Sequence, residues 1–252
     1  MRLQLATWSE TEAYLKRSTG IIMPIGSTEQ HGPNGFIGTD ALCAELIGIE
    51  VGERTGAMVA PTISVGMAQH HLGFPGSMTL LPSTLIAVVR DMINSLAKHG
   101  FERFFFINGH GGNVATVTAA FSEVYAESSF GTAAANRPRV RCVLKNWYLG
   151  RAVGEISKEV FGDDEGSHAT PSEVALTYFG YPEDAARVSQ AKLDPPRAPV
   201  GEIFDADDYR RQFPDGRIGS NPGGATPEIG KRLFEASVTE LAADYQDFVD
   251  RA

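Results

Sequence analysis

The sequence predicts an α/β fold in which helices cover both faces of a mostly parallel sheet. Three observations predict it. Short apolar runs alternate along the chain with longer stretches of helical character. The runs end in glycine-marked loops, as strands that feed crossover helices do. The 252 residues carry 42% hydrophobic side chains, enough apolar surface to offset the entropy of ordering a core.

The elements follow in order. Residues 20–26 read as a first strand that closes on Gly26, and helical character follows over 41–55. A second strand is expected over 58–65. The next helix is expected over 83–99, where Leu85, Val88, Val89, Met92 and Leu96 recur at helical spacing and Ser83 is the expected N-cap. Residues 103–108 form the most hydrophobic strand, followed by a helix over 114–128 and a fourth strand over 139–145. From Tyr181 to Pro227 the chain changes character. Prolines at 182, 195, 196, 199, 214, 222 and 227 interrupt any apolar period, which predicts a long irregular excursion of the kind that serves as a lid or interface. Thr226, Pro227 and Glu228 then announce a final amphipathic helix over 228–249. One domain spanning 1–252 is expected, with the proline-rich excursion at about 182–227 inside it.

Charge narrows the function. Lys+Arg total 22 against 31 Asp+Glu, a net charge of −9, so phosphate backbones and anionic lipid surfaces are repelled. Neither nucleic acid nor membrane is an expected partner. No apolar run approaches the roughly 20 residues of a membrane span, and no apolar signal core follows Met1. The two cysteines, Cys43 and Cys142, form no CxxC pair. A reducing cytoplasm is the expected location.

Glycine, 27 residues in all, gathers in discrete knots, which mark tight turns or close approach of backbone to a ligand. The first knot holds Glu29, His31 and Asp40 just beyond the first strand. An extended Glu-x-His sends both side chains to one side of the chain, and two such ligands aimed at one point suit a divalent metal; the alternative is a surface loop of solvated charges. The second knot, Asn108 to Asn113, holds His110 at the end of the third strand. A dinucleotide cradle fails there, because aligning Gly109 and Gly111 leaves Val114 where the last glycine belongs. A nucleotide-dependent oxidoreductase is excluded with it. The third knot, Gly166 to Glu173, places His168 in a loop before Pro171 and Glu173 in the first turn of a helix, where a carboxylate serves either as cap or as ligand. In the fourth, His70 and His71 precede a glycine–proline loop that is expected to line a pocket; extended, at most one of them would face it.

The residues Glu29-Gln30-His31-Gly32, Asp40, Asn108 to Asn113, and His168 with Glu173 resemble the creatininase (creatinine amidohydrolase) family. The loop from Phe74 to Ser77 and the start of the last helix at Thr226 to Glu228 are similar as well. The resemblance implies a three-layer α/β/α fold, homo-oligomers with a hexamer favoured, and a small-molecule amide substrate. It implies two divalent metal ions per subunit, Zn or Mn with Fe also possible. Glu29, His31, Asp40 and His110 match the family's metal ligands, Asp40 as the bridge, and His168 matches a histidine beside the substrate. Where the family carries a metal-binding glutamate two residues after the third-strand histidine, this chain has Gly112; Glu173 is the expected substitute, as ligand and as part of the catalytic set. Trp147 matches a pocket tryptophan, and His70 and His71 complete the expected substrate contacts. The expected reaction is hydrolysis of a C–N bond in a small amide, lactam or formamide. A metal-bridging hydroxide would attack while His168 donates a proton to the leaving nitrogen. The alternative is a catalytically idle metal- or ligand-binding scaffold. A phosphate-bearing substrate would draw on Arg197, Arg210, Arg211 and Arg217, but the favoured reading of these arginines is a solvated loop beside Asp205, Asp207 and Asp208.

Overall fold

Four parallel strands build the sheet: β1 (Gly20–Ile25), β2 (Met58–Val59), β3 (Arg103–Asn108) and β4 (Arg141–Asn146), in the order β2-β1-β3-β4. These strands belong to a computed structural model, in which residues 1–134 and 137–251 are described. Side chains alternate between two apolar layers. Ile21, Met23, Ile25, Phe104 and Phe106 pack with α1 (Trp8–Leu15), α3 (Pro82–Ala97) and α4 (Asn113–Ser129). Ile22, Phe105 and Ile107 pack on the other side with α2 (Thr39–Thr55), α5 (Arg151–Val160), α6 (Pro171–Gly180) and α9 (Pro227–Asp250). The result is the three-layer α/β/α fold. A strand buried on both faces has no polar side to show, which is why β1 and β3 read as continuous apolar runs.

The structure departs from the sequence expectation in places. The second strand keeps only Met58 and Val59 in the ladder, with one isolated bridge from Ile25 to Ile63 beyond it. The ladder runs out after Ala60 N donates to the Ile22 carbonyl, because the next donor toward β2 falls at Pro24, which has no N–H. Helix α3 starts at Pro82 with Leu81 as its N-cap, so Ser83 sits inside the first turn and does not cap it. The proline-rich excursion holds two short helices, α7 (Pro182–Val188) and α8 (Ala206–Gln212). Pro182 at N1 starts the first, and the Asp205 side chain accepts from Asp208 N at the start of the second. Two turns are too few to display a period. Helices α1 and α5 go unpredicted, although the Thr7–Glu10 capping box marks the first. No helix of the described residues is long and apolar enough to cross a membrane.

Strand order determines where chemistry can sit. From β1 the chain crosses to β2 on one side, and from β2 it returns past β1 to β3 on the other. The connections therefore diverge between β1 and β3, and the crevice at their carboxyl ends is where such sheets bind ligands. Helix α2 is driven into that crevice. A Cβ on Gly26 would lie 2.4 Å from Ala41 N, and one on Gly109 would lie 2.1 Å from the Asp40 carbonyl oxygen. Only glycine permits both approaches. Gly109→Ala is expected to push the first turn of α2 away from β3 and to cost about 1–3 kcal/mol, the usual penalty of overpacking. Chemical denaturation measures it; an unchanged midpoint would contradict the close approach.

Candidate metal centre

Five chain segments meet above the β1–β3 crevice. Glu29 and His31 come from the loop after β1, Asp40 from the first turn of α2, and His110 from the loop after β3. Glu173 lies in the first turn of α6, and His168 in the loop before it, tied to Ile218 by a backbone bridge. Glu29, His31, Asp40 and His110 are all buried, Glu29 completely at 0% exposure.

The imidazoles share one arrangement. His31 Nδ1 lies 3.0 Å from the Glu29 carbonyl oxygen, His110 Nε2 lies 3.1 Å from the Met67 carbonyl oxygen, and His168 Nε2 lies 2.8 Å from the Gln30 carbonyl oxygen. A carbonyl only accepts, so each of these nitrogens carries the hydrogen. The opposite nitrogens turn toward carboxylates. His31 Nε2 is 3.0 Å from Asp40 Oδ1 and 3.8 Å from Glu173 Oε2. His110 Nδ1 is 3.0 Å from Asp40 Oδ2 and 3.3 Å from Glu29 Oε1. His168 Nδ1 is 3.8 Å from Glu29 Oε1. A neutral imidazole presents a lone pair there, and a lone pair facing a carboxylate at 3 Å repels it unless a proton or a metal cation lies between.

The carboxylates say the same. Glu29 Oε1 and Asp40 Oδ2 are buried and accept no aligned hydrogen bond, despite the nitrogens around them. Two donor sets, Glu29–Asp40–His110 and His31–Asp40–Glu173, each bring their ligand atoms within 4.8 Å of one another, and Asp40 belongs to both. Glu29, His31 and His168 form a third such set. Mixed imidazole and carboxylate donors of this kind fit a divalent cation such as Zn or Mn.

Protonation in the metal-free chain follows from the same geometry. Burial pushes the Glu29 carboxyl up to about 8 against the pull of His110, and burial raises Glu173 to about 7. Burial opposes the charged form of His31 too, yet Asp40 and Glu173 lift it to about 10. Glu29 and Asp40 lift His110 to about 9 against the same opposition. Asp40 would be raised by burial, but His31 and His110 hold it well below the usual carboxylate range. Protons thus occupy the positions that a cation would take. His168 is the exception: burial and the neighbouring His31 keep it far below the ordinary histidine value.

A cavity of about 850 Å³ opens over the cluster. His70 and His71 both line it, contrary to the extended-chain expectation, because residues 69–71 form a tight helical turn. Of the pair, His71 is buried and reaches Glu29 Oε1 at 3.1 Å. Trp147 departs from the expectation of a pocket tryptophan: it is 1% exposed in the apolar layer between the sheet and α9 and does not line this cavity, whereas Tyr148 and Leu149 do. The four arginines do not gather at the cavity either. Arg217 is buried, bonded to Asp215 and to the carbonyl oxygens of Pro195, Pro196 and Ser220. Arg210 lies over the Phe74 ring, Arg211 pairs with Asp208, and Arg197 donates to the Gly219 carbonyl. Glu165 and Tyr209 line the cavity without having been singled out in the sequence. Tyr209 arrives from within the proline-rich excursion, where no motif marks it.

The creatininase family profile, described as creatinine amidohydrolase, matches residues 4–245. A creatinine amidohydrolase of Pseudomonas putida is 28% identical over 246 residues, 94% of this chain and 92% of that one. A mycofactocin precursor peptide peptidase of Mycolicibacterium smegmatis is 37% identical over 230 residues, 88% of this chain and 82% of that one. A solved creatininase mutant of the Zn-Zn type shares the fold with a TM-score of 0.83 at 23% identity, covering 99% of this chain and 98% of that one.

Glu173 divides its two oxygens between two tasks. Oε1 accepts from Thr170 N and completes a capping box, while Oε2 faces His31. Glu173→Gln keeps an oxygen for the cap, so the fold is expected to persist, and replaces the carboxylate that faces His31 with a neutral amide. The expected result is a bound-metal content that falls by about half with an unchanged circular dichroism spectrum. Full metal content in the variant would reduce Glu173 to a helix cap.

Proposed function

The chain belongs to the creatininase family, and on that premise we propose that it is a divalent-metal-dependent amidohydrolase cleaving a C–N bond of a small amide, lactam or formamide. The observation that carries this reading is the pair of donor sets sharing Asp40 beneath an open cavity. Glu29, Asp40 and His110 would hold one ion, and His31, Asp40 and Glu173 the other. Two such ions supply Lewis acidity, which polarises an amide carbonyl and lowers the pKa of water.

The chain's own residues do the rest. His168 is neutral at pH 7 by the direction of its shift. Its Nε2–H is committed to the Gln30 carbonyl, which leaves Nδ1 bare on the side of Glu29. His168 therefore begins the cycle as a proton acceptor. It takes a proton from the attacking water at Nδ1 and passes it from the same atom to the leaving nitrogen. This refines the expectation of a histidine that acts as an acid from the start. Among the described residues lining the cavity there is no Lys or Arg, while Glu165 and Glu202 add two further carboxyl groups. A neutral or cationic substrate fits that field better than a phosphate or carboxylate.

A second reading is a peptide bond as the target. It is favoured by the similarity to a peptide peptidase and by exposed Leu149 and Phe204 at a cavity larger than a small amide fills. The rival from another class, an idle metal-binding scaffold, would hold ions and hydrolyse nothing.

A panel of amides, lactams, formamides and short peptides separates these readings. Hydrolysis is expected to vanish after exhaustive chelation and to return with Zn or Mn; full activity in metal-free protein would refute the proposal. His168→Ala is expected to lower kcat about 10²–10⁴-fold with metal content unchanged. Loss of metal in that variant would make His168 a ligand instead.

A further inference from the structure

Gln30 stands between Glu29 and His31 and is buried, yet the chemistry above uses only its backbone carbonyl. Its side-chain amide is the most connected polar group near the centre. Oε1 accepts from Gly32 N at 2.9 Å, and Nε2 lies 2.9 Å from the Gly216 carbonyl oxygen. These two partners fix which end of the amide is which: reversed, it would set oxygen against oxygen at Gly216 and leave the Gly32 N–H unmet. Nε2 also lies 3.0 Å from His71 Nδ1, 3.0 Å from His168 Nε2 and 3.1 Å from the Tyr209 hydroxyl.

An amide nitrogen donates two hydrogens and accepts none. His168 Nε2 already spends its hydrogen on the Gln30 carbonyl at 2.8 Å, so it takes nothing from the side chain. Tyr209 donates its own hydroxyl hydrogen to the Gly216 carbonyl at 2.7 Å. The Tyr209 oxygen can accept from the amide at 3.1 Å, and His71 Nδ1 lies at 3.0 Å on the same side. A hydrogen on His71 Nδ1 would find no acceptor at the amide nitrogen, unlike that of His168, which has a carbonyl; a lone pair on Nδ1 shares the amide N–H with Tyr209. The His71 hydrogen therefore sits on Nε2, the atom 3.1 Å from Glu29 Oε1. Tyr209 and Gly216 both belong to the proline-rich excursion, and the Tyr209 ring meets those of His71 at 5.0 Å and His168 at 6.3 Å.

We propose that Gln30 is a positioning residue: its amide clips the 209–216 segment onto the site and fixes His71 as the tautomer whose Nε2–H faces Glu29. The 3.1 Å approach is not an aligned hydrogen bond in the metal-free chain, so His71 in that tautomer supports the Glu29 carboxylate through its N–H dipole, as outer partners of metal ligands do. The rate consequence rests on the hydrolase reading above; the tautomer does not.

The test is a long-range ¹H–¹⁵N correlation spectrum of the histidine rings in zinc-loaded protein, with His71→Asn for assignment. His71 is expected to show a bare Nδ1 and a protonated Nε2. In Gln30→Glu, whose carboxylate accepts and cannot donate, His71 Nδ1 is expected to become protonated. Gln30→Met keeps the length and removes the amide; kcat on the amide cleaved is expected to fall about 10–100-fold with KM changed far less. A protonated His71 Nδ1 in the unsubstituted protein overturns the proposal without any variant. So does a bare Nδ1 retained in folded Gln30→Glu. If the protein hydrolyses nothing on the panel, the spectra still decide the role of Gln30, so the two failures are distinct.

Discussion

Three carboxylates and the lone pairs of two imidazoles are held together, largely out of water, at the floor of the cavity, and the rest of the structure is arranged around that repulsion. Glu29 is completely buried, and Asp40 lies between His31 and His110 at 3.0 Å from each. Burying charge without a partner costs several kcal/mol, and like charges add to the cost. Backbone carbonyls hold one nitrogen of each imidazole and so prevent the rings from turning their N–H groups inward. Positive charge has to come from elsewhere. In the metal-free chain it comes from protons on His31 and His110; a divalent cation supplies it without the protons.

The fold pays for this arrangement with backbone proximity. Glycines at the ends of β1 and β3 let the amino end of α2 enter the crevice, so Asp40 reaches both donor sets from a helix whose dipole favours a carboxylate in its first turn. The cavity is then finished from a distant part of the chain. Tyr209, packed with Phe74, Phe213 and Ile218 in a small apolar cluster of its own, brings the proline-rich excursion down beside His71 and His168. Gln30 bonds to that segment from within the ligand loop itself. The loop that carries Glu29 and His31 and the wall of the cavity thereby meet at one amide.

Much of this is legible in the sequence, for identifiable reasons. The strands β1 and β3 are buried on both faces, and their apolar runs cannot be mistaken for solvated loops. The residues of the buried cluster stand out because histidine and carboxylate among glycines at strand ends have no packing role to fill. Thr170, Pro171 and Glu173 announce α6 by capping chemistry alone. Trp147 misleads because a motif gives its neighbourhood and not its rotamer: Trp147 turns into the α9 layer and leaves Tyr148 to the cavity. Arg217 departs from the favoured solvated-loop reading for a similar reason, since a buried guanidinium satisfied by carbonyls and Asp215 looks in sequence like any loop arginine. Tyr209 and the hydrogen-bonding of Gln30 depend on contacts 179 residues apart, and no local pattern encodes them.

If the buried cluster is a two-ion centre, anomalous diffraction at the zinc edge from crystals of the zinc-loaded protein will show two peaks per chain about 3.5–4 Å apart, one among Glu29, Asp40 and His110, the other among His31, Asp40 and Glu173. A single peak, or peaks only outside these residues, would contradict that reading.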